Sequence, residues 1–317
     1  MKNTWRIACN TFADTLREPV YALMLAAALL LIYHYPAAAV YVFFEQVKMV
    51  TDSSMATILL FSMLGAALSA GATVSREMRN GTVLLLLSKP ISKTSFVIGK
   101  ISGIIAATLF SGVVLAAGTM ISLRIATDQF RFDFAVFIWS LLLIVIAAGG
   151  ALAANFLTGS SFPQVFSLLL FPLVAAEAAV LLIFSGHLDF AVWEVGKALI
   201  LLLLSLPVAA ALAAALAVRY DTVPVLCIMT LIFLLGMMSD YLFGRSDVLP
   251  QAVSEVLYAA IPAWQLFWMA DAVALGNVIP GNYIFSALLY TLLYITLITI
   301  WAFFLFRGRE AAGSDRN

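Results

Sequence analysis

The chain reads as an all-α, polytopic membrane protein, and three observations predict that class. Of its 317 residues, 64% are hydrophobic and only 11% charged, and mean hydropathy is +1.06. A water-soluble core does not require so much apolar surface. The apolar residues gather in runs of roughly 20, the length at which an α-helix crosses ~30 Å of hydrocarbon. The charges are also distributed unequally. With the first segment placed in the cytoplasm and each run crossing once, 12 of the 17 Lys and Arg fall on the cytoplasmic side. Positive charge is retained on that side during insertion.

Taken in order, the first element is residues 1–19. Trp5, Cys9, Phe12 and Leu16 recur at spacings of four, three and four, with Lys2, Arg6 and Arg17 elsewhere on the wheel. This predicts an amphipathic helix on the inner leaflet, ended by Pro19. The charged front, with Asp14 and Glu18, is too long for a cleaved signal peptide. Candidate spans follow at 20–43, 54–75, 97–123, 134–158, 164–185, 193–218, 222–243 and 283–306. Tyr33, His34, Tyr35 and Pro36 interrupt the first and predict a kink or a shorter span. Only Arg219, Tyr220 and Asp221 separate the sixth from the seventh, which are two crossings or one helical hairpin. Eight spans leave both termini cytoplasmic, and a six-span version, with 193–243 re-entrant or buried, keeps the same orientation. The outer loop, 244–282, contains an interfacial helix from Glu255 to Ala274, broken at Pro262. Trp139, Trp193 and Trp301 lie near span ends, where indoles are favoured. Small residues recur four apart (Gly65 with Ser69, Ala66 with Ala70, Ala67 with Gly71), a pattern that lets helices approach closely.

Much chemistry is excluded. Nothing matches G-x-x-x-x-G-K-[ST], and there is no H-E-x-x-H. His34 and His187 are far apart, so no metal site is expected. Cys9 and Cys227 read as small apolar residues, not a disulfide. A net charge of zero argues against nucleic acid. No catalytic residues are expected, and the chain is not read as an enzyme. Glu177 is the one acid well inside a span. Burying its charge costs ~2.5–3.5 kcal/mol on insertion scales, so it faces protein or water. It either contacts the substrate path or hydrogen-bonds a neighbouring helix.

The most informative stretch is residues 75–100, SREMRNGTVLLLLSKPISKTSFVIGK. It carries Arg76, Arg79, Lys89, Lys93 and Lys100 against a single acid, Glu77. It resembles the first cytoplasmic loop of type-2 ABC exporter permeases: Glu77, then Gly81-Thr82, Leu84 to Leu87, Lys89-Pro90, and Gly99-Lys100 opening the next span. The subgroup it looks most like is the permease of the copper-processing system used in nitrous-oxide reductase maturation. Residues 1–19 resemble that family's connecting helix, and YIFSALLYTLLYITLITIWAFFLFRGRE resembles its last span. The family core is usually six spans, two fewer than the full count here.

The resemblance implies one transmembrane permease domain over 1–317, driven by a separate ATP-binding-cassette ATPase that binds ATP and Mg; the chain itself would hold no cofactor. It implies a second permease copy, export, and a bacterial inner membrane, with a periplasmic partner as a further candidate. The ATPase would dock on Arg76, Glu77, Arg79, Gly81, Thr82, Leu85, Lys89 and Pro90. Gly81 would permit a tight turn and Pro90 would stop the short helix. The alternative is an ATP-independent channel, secondary carrier or assembly anchor, which would usually show several buried charges.

Overall fold

The computed structural model describes residues 2–39, 41–42, 45–79, 92–126, 132–184, 190–244 and 250–314, and among them every regular element is helical. Helix α1 is Lys2–Arg17, α2 is Pro19–Ala39 and α3 is Gln46–Ala70. A π turn, Gly71–Ser75, and one further turn, Arg76–Arg79, continue α3. Helices α4 (Lys93–Ala126), α5 (Phe134–Thr158), α6 (Phe162–Phe184), α7 (Phe190–Ala217) and α8 (Thr222–Met237) follow. After a second π turn, Asp240–Gly244, come α9 (Gln251–Ala260), two short turns at Trp264–Phe267 and Ala270–Ala274, and α10 (Gly281–Ser314).

Seven of these helices are long and apolar enough to cross a membrane. The pair Val253–Ala260 and Trp264–Ala274, bent by 45°, would make an eighth if it counted as one span, and α8, at about 24 Å, is a shorter apolar helix. Its surroundings decide the matter. Its N-terminal Thr222 packs against Gly71 at the end of α3, while its Gly236 lies under Trp264 of the segment that precedes α10. It therefore runs the full depth of the bundle. Every crossing alternates, and both chain ends lie on one face, called here the near face. Phe306 of α10 meets Phe96 of α4 there, with ring centroids 5.9 Å apart.

Helix α7 is the centre of the molecule. It packs against α3, α4, α8 and α10. Its Ala/Leu tract from Ala209 to Ala217, ordinary as span composition, is buried throughout. Small side chains there let four neighbours approach one axis. Helices α5 and α10 lie outside and turn large apolar side chains outward, such as Phe156 at 89% and Phe285 at 68% exposure.

Three expectations from the sequence meet the structure here, and the first is corrected. Helix α2 is not interrupted at Pro36; it continues to Ala39. Proline removes the hydrogen bond to the carbonyl four residues back, here that of Ile32, and Ser122 Oγ of α4 donates to this carbonyl at 2.6 Å instead. Second, the span expected at 97–123 begins earlier, since α4 starts at Lys93 inside the 75–100 block. Third, the apolar stripe of α1 divides: Leu16 is buried and Phe12 meets Phe110 of α4 at 6.0 Å between ring centroids, whereas Trp5 and Cys9 are exposed. Its packed face carries Ile7, Ala8 and Thr11, which lie against Gly99 and Gly103 of α4. The predicted break of the outer helix is present: α9 ends at Ala260, and the chain resumes helical turns at Trp264 after a 45° bend.

Candidate functional site

The end of α3 carries the residues singled out for docking. In the π turn the Arg76 N–H reaches the Gly71 carbonyl, five residues back. Such single turns are rare and often occur at functional positions. Gly71 is required there, since an added Cβ would collide with the Thr222 side chain. Three side-chain contacts then brace the segment against three different elements. Ser75 Oγ donates to Asp221 Oδ1 at 2.9 Å, at the turn between α7 and α8. Arg76 meets Glu18, between α1 and α2, at 3.3 Å. Lys100 Nζ of α4 donates to Glu77 Oε1 at 2.7 Å, with the lysine side chain 7% exposed and the glutamate 27%.

The two ion pairs differ in weight. The Arg76 side chain is more than half exposed, and exposed pairs contribute ~0.2–1 kcal/mol. Lys100 is buried, and it also lies over the Phe96 ring at 5.9 Å. Glu77 therefore has a partner within the chain. Arg79 belongs to the turn Arg76–Arg79. Gly81, Thr82, Leu85, Lys89 and Pro90 lie outside the described residues.

Helix α1 is seated beside this segment. A Cβ on Gly99 would come 2.7 Å from Ile7 Cβ, and one on Gly103 would come 2.7 Å from the Ala8 carbonyl. The two glycines are four apart, the spacing that lets helix backbones touch. The sequence carries that signal as plainly as it carries the small residues of α3, and only the latter were singled out. Of the α3 set, Ala66, Ala67 and Ala70 are indeed buried. Gly65, however, faces open space and lines a cavity of about 430 Å³ on the near face. Glu18 and Asp221 were also missed, since acids at span edges carry no pattern of their own.

Glu177 sits in α6, in the half of the bundle away from the near face. Ser140 Oγ of α5 donates to its Oε1 at 2.7 Å. Its Oε2 is buried without a partner among the described residues, as is the Tyr33 hydroxyl of α2. Nearer the far end, Glu194 of α7 is 2% exposed. It accepts from Lys197 Nζ at 2.6 Å and from the Ile279 N–H at 2.8 Å, and Lys197 also donates to the Ile279 carbonyl at 3.1 Å. This clasp ties the segment that precedes α10 to α7. Among the described residues no cluster of three or more His, Cys, Asp or Glu is placed to hold a metal ion.

Residues 17–170 match the family model described as ABC-2 family transporter protein. The match covers just under half of the chain, includes the whole 75–100 block, and supports a membrane permease of ABC type. No curated protein matches the chain.

Proposed function

We propose that this chain is the membrane-spanning permease subunit of an ATP-binding-cassette exporter, and that residues 75–100 receive the stroke of a separate ATPase. The observation that carries the proposal is the bracing of Ser75, Arg76 and Glu77 against Asp221, Glu18 and Lys100. A segment tied to the α7–α8 turn, to the α1–α2 junction and to α4 cannot be displaced alone. Force applied there reaches α1, α2, α4 and α8 together, which suits a rigid-body transition of the bundle. The family match over 17–170 supports the same reading.

The partner ATPase binds ATP and Mg, and Arg76, Glu77, Arg79, Gly81, Thr82, Leu85, Lys89 and Pro90 form the docking set. The near face is cytoplasmic, the membrane is the bacterial inner membrane, and two copies pair. Glu177 lines the substrate path, with its unpartnered oxygen available to cargo or to a proton. The nitrous-oxide maturation permeases are the subgroup the chain resembles, and a periplasmic partner would meet the outer segment. Cysteine cross-linking from Thr82 or Leu85 to the co-expressed ATPase tests the coupling. Both positions are expected to cross-link, and Gly81→Val with Pro90→Ala is expected to leave ATP hydrolysis uncoupled from transport. No cross-link from either position, with normal transport by the double variant, would overturn the assignment in favour of an ATP-independent channel, carrier or anchor.

A further inference from the structure

Three of the polar atoms buried without partners among the described residues lie at increasing depth behind one opening. They are the Ser62 hydroxyl of α3, the Tyr33 hydroxyl of α2 and Glu177 Oε2 of α6. Counted from the near ends of α3 and α2, Ser62 lies about 12 Å deep and Tyr33 about 21 Å. Buried polar groups are almost always paired, so each orphan calls for an explanation. The opening is the near-face cavity of about 430 Å³, a volume in the range of small-molecule sites. Its charged rim groups are engaged, Arg76 with Glu18 and Asp221 with Ser75. Farther in, Gly65 leaves open space, since an added Cβ would meet no atom within 4 Å. Beyond Gly65 a crevice of about 10 Å³ continues inward, room for about one water molecule. Tyr21 and Leu25 of α2, Ser62 of α3, and Ser111 and Leu115 of α4 line it.

One helical turn farther along α2, Leu29 closes the way. It is fully buried, and its Cδ1 would come 2.5 Å from a Cβ on Gly118 of α4. Gly118 is one turn beyond Leu115, and Tyr33 is one turn beyond Leu29, its hydroxyl 3.9 Å from the same Cβ position. Glu177, on α6 packed against α2, is the charged neighbour of Tyr33. Leu29 thus separates the crevice from the two deeper orphans.

We propose that these spaces form one path within a single copy of the chain, running from the near face past Gly65 and Ser62 to Tyr33 and Glu177, with Leu29 as its apolar gate, and that it takes a small, uncharged, hydrogen-bonding cargo. Below the rim and before Glu177, the lining side chains are apolar groups and hydroxyls only. Such a lining can pair with a neutral polar molecule and penalises an ion. Gly118 supplies the room on α4 in which the Leu29 side chain sits, and withdrawal of that side chain would join the crevice to Tyr33. The inference rests on the reading of Glu177 as a path residue and extends that path to the near face.

The test is hydroxyl-radical footprinting of the full-length chain in nanodiscs, with oxidation of Tyr33 read by mass spectrometry. In the native chain Tyr33 is expected to be as protected as Phe306, which is buried elsewhere. Leu29→Ala should raise Tyr33 oxidation roughly fivefold or more by admitting water to a polar space. Adding Gly65→Leu to that variant should restore protection by filling the entrance. Leu199→Ala, the same truncation at a buried position that lines neither space, should leave Tyr33 protected. If Leu29→Ala fails to fold, Leu29→Val decides the matter by a smaller rise of the same kind. Unchanged Tyr33 oxidation in the folded Leu29 variants, or a rise that Gly65→Leu does not reverse, would overturn the path. The cargo class is tested in the Leu29→Ala background, with Cys9 and Cys227 replaced by serine. There Ser62→Cys should react roughly tenfold faster with neutral hydroxyethyl methanethiosulfonate than with its trimethylammonium or sulfonate counterparts, after scaling to their rates at the rim variant Ala72→Cys. Equal scaled rates would overturn the uncharged cargo. Because no ATPase is present, either failure would leave the coupling proposal untouched, and the part of Glu177 in transport is judged separately by Glu177→Gln.

Discussion

At the scale of single residues, Lys100 carries the clearest energetic prediction. A buried ammonium that loses its partner is left with an uncompensated charge, at a cost of roughly 3 kcal/mol. Glu77→Leu should therefore lower the thermal midpoint in detergent markedly, and so should Lys100→Met. The double variant Glu77→Leu with Lys100→Met should be far less damaging than the sum of the two singles. A double-mutant cycle on unfolding free energies measures this, and simple additivity would contradict the coupling. Glu177 makes a different prediction. Glu177→Gln retains an acceptor for Ser140 Oγ and removes the titratable proton, so insertion and melting should stay normal. Transport and cargo-stimulated ATP hydrolysis should fall, and normal transport would mark Glu177 as a helix-packing residue. The sequence exposed Glu177, because an acid inside an apolar run stands out. It did not expose the burial of Lys100, because the basic residues of that block look alike until Glu77 and the neighbouring helices close over one of them.

At the scale of elements, the seating of α1 on α4 rests on absent side chains. Gly103→Leu would drive a branched chain into the Ala8 carbonyl and Thr11. It should release α1, seen as faster cleavage near its C-terminus in limited proteolysis. Gly149→Leu, where a Cβ meets nothing within 4 Å, should leave the digest unchanged. Ser122→Ala should cost about 1–3 kcal/mol, because the Ile32 carbonyl would be buried with no donor; thermal unfolding in detergent checks this. These elements show what local pattern can and cannot convey. The existence of each long helix was legible from apolar runs. The face by which α1 packs was legible only in part: Phe12 and Leu16 of its apolar stripe meet the bundle while Trp5 and Cys9 do not, and Ile7, Ala8 and Thr11 against two glycines of α4 make the rest of the contact. The continuity of α2 through Pro36 was hidden for a related reason: the compensating donor, Ser122, lies 90 residues further along the chain.

At the scale of the whole molecule, the prediction concerns sidedness. An odd number of crossings would put the chain ends on opposite faces, and α8 makes the number even. A cysteine at Asn277 should react with an impermeant maleimide in intact cells, while one at Ser314 should react only after lysis. The reverse pattern would invert the bundle and remove the coupling segment from any cytoplasmic ATPase. The unequal spread of Lys and Arg along the chain is the ground in the sequence for expecting this orientation. The central place of α7 is not legible there, because its alanine-rich composition is compatible with any span. Only the mutual fit of five helices makes it the axis.

The π turn at the end of α3 has a consequence in terms of phase. It holds one residue more than the α-helix on either side of it. The last turn of α3 therefore emerges in the same angular phase as if one residue of Gly71–Ser75 were missing. Deleting Ala72 should convert the turn to ordinary α-helix and leave Arg76 and Glu77 facing Glu18 and Lys100, so the Glu77–Lys100 coupling energy should survive in the deletion background. Inserting an alanine at the same place leaves the helix no such slack. It would swing Arg76 and Glu77 by about 100° and advance them about 1.5 Å, and the coupling energy should vanish.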